Sequence, residues 1–267
     1  MRAYAGMFRM KFIAGLQYRA AAWAGISTQF VWGFALIMLY QAFYRSSSAA
    51  LPMEWGQLVS YIWLQQAFLA LIMLWSQDGD LLSQITNGQV AYELCRPYDL
   101  FGLWYFRLLA GRLSSVLLRF VPVIVIAMMI PSPYRLVLPP DLGAFGLFVL
   151  SIAFSSFLVV AISMFIYILT FITLSSVGAR LAVGVLSDFL MGALIPIPLM
   201  PDWLQRILDW LPFRYIADLP LRLYSGNIVG ADAFRQIAVQ MVWLLLLLLA
   251  GKLWFNRVLR NVVVQGG

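Results

Sequence analysis

Histidine is missing from this chain, and cysteine occurs once. Without imidazole the usual general base at neutral pH is gone, and with it Ser–His nucleophile activation and nearly every histidine-held metal site. Cys95 alone can form neither an internal disulfide nor a CxxC pair. Charge is scarce too. Only 11% of residues are Asp, Glu, Lys or Arg, where a soluble domain carries about 25%. No G-x-x-x-x-G-K-[ST] phosphate loop occurs, since the lone Gly251-Lys252 pair lacks the upstream Gly and the following hydroxyl. The chain cannot hydrolyse ATP by that route, and no channel selectivity-filter sequence appears. These absences point away from an enzyme and predict neither metal nor cofactor.

What is present is apolar: 63% of the residues are hydrophobic. No aqueous core of this chain length holds that much apolar surface, so lipid is the solvent. Six apolar segments, roughly 22–44, 58–75, 104–130, 142–174, 181–195 and 233–254, predict an all-α integral membrane protein with six transmembrane helices. Together they make one domain over residues 1–267. The fourth segment exceeds one perpendicular crossing of ~20 residues. It tilts, projects into the cytoplasm, or takes in part of the turn at Ser175–Gly178.

Residues 1–19 are expected to form an amphipathic surface helix. Tyr4, Phe8, Phe12 and Leu16 make one stripe, with Arg2, Arg9 and Lys11 around the rest. The charges at Arg2, Arg9, Lys11 and Arg19 argue against a cleavable signal. The net charge of +7 is spread over span ends rather than gathered in a patch, which speaks against nucleic acid. Eleven Lys and Arg fall on the side of the termini and six on the other, with Arg119 inside the third span. Both termini are therefore expected in the cytoplasm.

Three places carry chemistry. In the loop over 76–102, a short helix is predicted from Ser83 to Leu94, with Ser83 as N-cap, Asp78 and Asp80 upstream, and Pro97 preventing continuation. Its apolar Ile85, Val90, Ala91 and Leu94 and polar Tyr92 and Glu93 suit either a groove on a cytoplasmic partner or a rest among headgroups. The aromatic segment 196–232 has an amphipathic stripe of Trp203, Leu204, Ile207, Leu208 and Leu211. It also has acid-first pairs Asp202–Arg206 and Asp218–Arg222, breaks at Pro212 and Pro220, and an end at Gly226. It caps the spans from outside or forms an interfacial Trp belt. Within the fifth span Asp188 shares a helix face with Gly184 and Gly192, and Arg119, one turn from Pro122, is its expected ion-pair partner. A substrate or proton site at Asp188 is the other reading.

The loop Ile85-x-x-Gly88-x-x-Ala91-x-Glu93-Leu94-x-Arg96-Pro97, the run Pro196-x-Pro198-x-x-Pro201-x-Trp203, the downstream Leu211-Pro212-Phe213, Pro220 and Gly226, and the basic tail ending in Gly-Gly follow one another in order. In this order and spacing the chain resembles the type-2 permeases of ABC exporters, the six-span group related to viologen and drug exporters. The resemblance implies a permease of a bacterial-type inner membrane, paired with a second permease, the same chain or a different one. Mg-ATP would be bound by separate ABC ATPase subunits. It implies ATPase-coupling roles for Ile85, Gly88, Tyr92, Glu93 and Arg96 and for the surface helix with Arg9 and Lys11. Short outer re-entrant helices with Pro198, Trp203, Pro212 and Pro220 would gate the path. Arg119 and Asp188 match no motif of the family. The competing expectations are an ion- or proton-coupled transporter using Asp188, and a membrane assembly subunit without flux.

Overall fold

The computed structural model describes residues 2–46, 51–95 and 97–260, and every regular element among them is helical. In chain order they are α1 (Arg2–Leu16), α2 (Arg19–Ser46), α3 (Trp55–Ala67), α4 (Leu69–Ile72), α5 (Gly79–Thr86) and α6 (Val90–Leu94). Then come α7 (Leu100–Met129), α8 (Leu142–Thr173), α9 (Ser176–Leu190), α10 (Asp202–Asp209), α11 (Asp218–Tyr224) and α12 (Gly230–Arg260). Single 3-10 turns lie at Ile197–Leu199 and Phe213–Tyr215.

Four helices, α2, α7, α8 and α12, are long and apolar enough to cross a membrane, which marks a membrane protein. The second and fifth predicted spans differ from expectation. The second is broken: α3 ends at Ala67, and after Phe68 only the single turn of α4 follows. Neither Pro nor Gly lies at the break. Instead the Phe68 ring packs between Phe120 and Phe148, at 5.8 and 5.7 Å, so tertiary packing sets the interruption. The fifth, α9, spans 15 residues and begins five residues before the expected start. The Ser175 hydroxyl caps it by accepting from Gly178 N, and Gly192 at φ +80° ends the descent.

The packed helix pairs run both antiparallel and parallel. Tyr44 meets Trp55, while Gly33 lies against Trp63 and Gln66, so α2 and α3 run antiparallel. Arg112 of α7 reaches Ser163 of α8, and Trp104 stacks on Phe171, which makes that pair antiparallel as well. On α8, Ser151 bonds Gln240 and Phe171 meets Phe255, so α12 runs parallel to α8. One end of the bundle therefore collects α1, α5, α6 and the basic residues Lys11, Arg107, Arg112 and Lys252. The far end collects residues 130–141 and the segment before α12.

The N-terminal helix is fastened lengthwise. Tyr4 faces Gly102, and Gly15 faces Ser114, where an added Cβ would meet the Ser114 side chain. The separations on the two helices nearly match and rise together, so α1 runs parallel to the first half of α7. Its stripe residues Tyr4 and Phe8 pack inward, and Arg9, Met10 and Ile13 stay exposed.

Candidate functional site

The segment between α4 and α7 is assembled from its charged residues. Asp78 opens α5: its carboxylate accepts from Asp80 N at 3.1 Å and Leu81 N at 3.3 Å. The predicted N-cap at Ser83 is thus displaced by one turn, because the acid upstream captures the free amides first. The same carboxylate holds Lys11 of α1 at 2.9 Å and Arg107 of α7 at 2.9 Å, while Arg107 reaches Asp80 at 3.3 Å. The Asp78 backbone N–H donates to Tyr167 of α8 at 2.9 Å. Four helices meet at this residue. Burial pushes the Asp78 carboxyl up, but hydrogen bonds and charge from Arg107 and Lys11 outweigh it and hold the group below its ordinary value.

Arg112 secures the other side. Its guanidinium is buried and donates to the carbonyls of Leu71 and Met73 at 2.9 and 2.7 Å, to that of Ser76 at 3.2 Å, and to the Ser163 hydroxyl at 3.0 Å. The chain leaving α4 is thereby tied to α8. Sequence reading assigned no role to Arg112, Arg107 or Trp104; the close spacing of Asp78, Asp80, Arg107 and Arg112 around the loop is the signal that was available.

The single helix expected over 83–94 is two, α5 and α6, joined through Asn87 and Gly88. Gly88 sits at φ +71°, where a side chain is strained, and this turns the chain between them. The expected coupling residues separate by role. Ile85 is buried and anchors α5 in the core. Glu93 accepts a 2.6 Å hydrogen bond from the Trp104 indole, so it faces α7 rather than a partner. Tyr92 is 77% exposed. Arg9 is exposed as well, and Arg96 lies outside the described residues.

Inside the bundle, the expected single face of Gly184, Asp188 and Gly192 is not formed, because α9 ends at Leu190 and Gly192, at φ +80°, lies beyond it. Gly184 packs on the backbone of Trp75, and Gly192 packs on the Tyr61 hydroxyl and Ile197. The expected ion pair is absent. Arg119 instead rests against Gly25 of α2, and neither Arg119 Nε nor Asp188 Oδ1 has a hydrogen-bond partner. Glycine at position 25 admits the guanidinium to the α2 backbone, so Arg119 is directed at α2 and away from α9.

At the far end, Asp218 is fully buried and takes Arg222 at 3.4 Å, Arg214 at 3.5 Å and the Tyr61 hydroxyl at 3.4 Å. Arg214 also pairs with Asp209. The expected Asp218–Arg222 pair is formed, whereas Asp202 and Arg206 make none. Pro198 is buried in its 3-10 turn, Trp203 is 64% exposed on α10, and Pro212 precedes the next 3-10 turn. Pro220 does not break a helix as expected. It lies in the first turn of α11, where its missing N–H has no intrahelical partner to lose. Gly226, at φ +70°, closes the segment. Below it Gln240, buried on α12, bonds the Tyr215 carbonyl at 2.8 Å, the Ser151 carbonyl at 3.0 Å and the Ser155 hydroxyl at 3.1 Å.

The arrangement offers an exposed tip with rigid attachments at one end of the bundle and a ring of short helices at the other. Among the described residues no group of acidic or thiol side chains is disposed to hold a metal ion. The chain matches no family model, and neither a curated protein nor a solved structure is similar to it.

Proposed function

We propose that the chain is the permease subunit of an ATP-driven ABC exporter, forming half of a translocation path with a second permease and taking its energy from separate ATPase subunits. The observation that carries this reading is the α5–α6 element. It exposes Tyr92 between two firm anchors: the Asp78 cluster on one side and the Glu93–Trp104 bond on the other. Such an element transmits a push from a cytoplasmic partner into α7 and α8. With α3–α4 and α9 counted beside the four long helices, six crossings result, and the basic end faces the cytoplasm. The α10–α11 segment is then an outer cap over the path. A second reading, an ion-coupled transporter, draws support from the unpartnered Asp188 oxygen.

Co-purification with the ATPase and any second permease encoded beside this chain tests the proposal. A stable complex with MgATP hydrolysis and a measured subunit mass is expected. A chain that binds no ATPase, yet moves substrate down an ion gradient and loses this with Asp188→Asn, would support the second reading instead.

A further inference from the structure

Three buried polar atoms on facing helices α2 and α7 bond to nothing: Nε of Arg119 and both amide atoms of Gln29. Gln29 is 2% exposed and belongs to the buried stripe of α2 that also holds Ala22, Ile26 and Gly33. The Arg119 guanidinium lies on the α2 backbone at Gly25, where an added Cβ would approach Cζ to 2.8 Å. Gln29 is one turn beyond Gly25 on the same face. Helical side chains lean over the turn N-terminal to their own Cα, so its carboxamide overhangs the Gly25 turn, toward the guanidinium. The two groups nevertheless do not bond each other.

No carboxylate neutralises this cation. Asp188 lies one turn from Gly184, which is seated against Trp75, and the ion pairs of the described residues involve Asp78, Asp80, Asp99, Asp209, Asp218 and Asp232, none with Arg119. An uncompensated guanidinium in a membrane helix is costly, and a planar fork of donors matches carboxylate or phosphate oxygens. The Gln29 N–H groups add a second donor, and its carbonyl accepts from a hydroxyl on the same ligand. Gly25 stands six residues into α2, about 9 Å along the helix from its basic end. That depth is reached by the head of an amphiphile whose tail lies along the exposed Trp32, two turns beyond Gly25 on the adjoining side of α2.

We propose that the α2–α7 seam binds the anionic oxygen group of an amphiphile, a phosphate or carboxylate, with Arg119 supplying the charge and Gln29 the second donor. The site stands whether or not an ATPase partners the chain. Native mass spectrometry of the full chain, purified with phosphatidylglycerol, phosphatidylcholine or oleate, tests it. Wild type is expected to retain phosphatidylglycerol over phosphatidylcholine. Arg119→Gln should cut that preference roughly tenfold and Gln29→Leu by less, as expected for a charged against a neutral hydrogen bond. Arg257→Gln, on exposed surface outside the seam, should leave it unchanged. Gly25→Leu obstructs the seam while keeping the charge, and should also abolish the preference. It thereby guards against an Arg119 variant that fails to fold. Phosphatidylglycerol that oleate does not displace assigns the site to bilayer lipid. Displacement by oleate assigns it to an exchangeable amphiphile, and either outcome sustains the anion site. Equal retention of both phospholipids by wild type, or an unchanged preference in Arg119→Gln and Gly25→Leu, overturns it.

Discussion

Tyr92 and Glu93 are adjacent, but one points to solvent and the other holds Trp104 at 2.6 Å. Tyr92→Ala is therefore expected to leave folding intact and to lower transport-stimulated ATP hydrolysis. Glu93→Ala should cost about 1–3 kcal/mol, the usual effect of stranding a buried donor, whereas Glu93→Gln, which keeps an acceptor, restores most of it. Thermal melts beside hydrolysis assays separate the two; equal melting losses for both alanine variants would sink the division of roles. For Arg119 and Asp188 the spacing supported a pair, and the structure separates them. Arg119→Gln and Asp188→Asn should then add in a double-mutant cycle, with Asp188→Asn neutral or stabilising because it removes a charge without a partner. A coupling energy above about 0.5 kcal/mol would contradict this. Sequence alone could not exclude the pair, since helix periodicity reports which face a residue occupies but not which neighbour that face meets.

At the scale of elements, the Asp78 cluster joins α1, α5, α7 and α8, and its acid sensitivity has a definite sign. The folded carboxyl is held below its ordinary 3.8. Its contribution is therefore complete above that value and is lost as pH falls through the lower folded value. Asp78→Asn should lower stability by about 1–3 kcal/mol at neutral pH, and the deficit against wild type should shrink as the medium is acidified below 3.8. A deficit independent of pH would assign the loss to the N-cap alone. The long helices α2, α7, α8 and α12 were legible because their apolar runs outlast any soluble helix. Three features were not: the interruption at Phe68, the early start of α9, and the division at Gly88. The first depends on rings from α7 and α8, the second on one serine cap, and the third on a glycine whose positive φ a helical pattern does not reveal.

For the whole molecule, Cys95 is the sole thiol and is exposed beside α6. A membrane-impermeant maleimide should label it in inverted vesicles and spare it in intact cells, fixing which side the basic end faces. Labelling only in intact cells would reverse the orientation and remove the coupling assignment. The composition gave the class of solvent, and the distribution of Lys and Arg gave a polarity that the bundle keeps by gathering Lys11, Arg107, Arg112 and Lys252 at one end. The four-residue Asp218–Arg222 pair was legible, but the contact of Asp218 with Tyr61 and the seating of Gln240 on Ser151 and Ser155 were hidden, because they join residues that come together only after the chain has returned across the bundle. Helix α8 links these two regions without a break over 32 residues, about 48 Å at helical rise. It carries Ser151 and Ser155 near one tip and Tyr167 near the other. Such a strut works as a lever: a tilt of about 5° about Tyr167 displaces Ser151, about 24 Å along the helix, by roughly 2 Å, more than a hydrogen bond can stretch. A rocking too small to disturb the packing around Asp78 would thus be large enough to unseat Ser151 from Gln240.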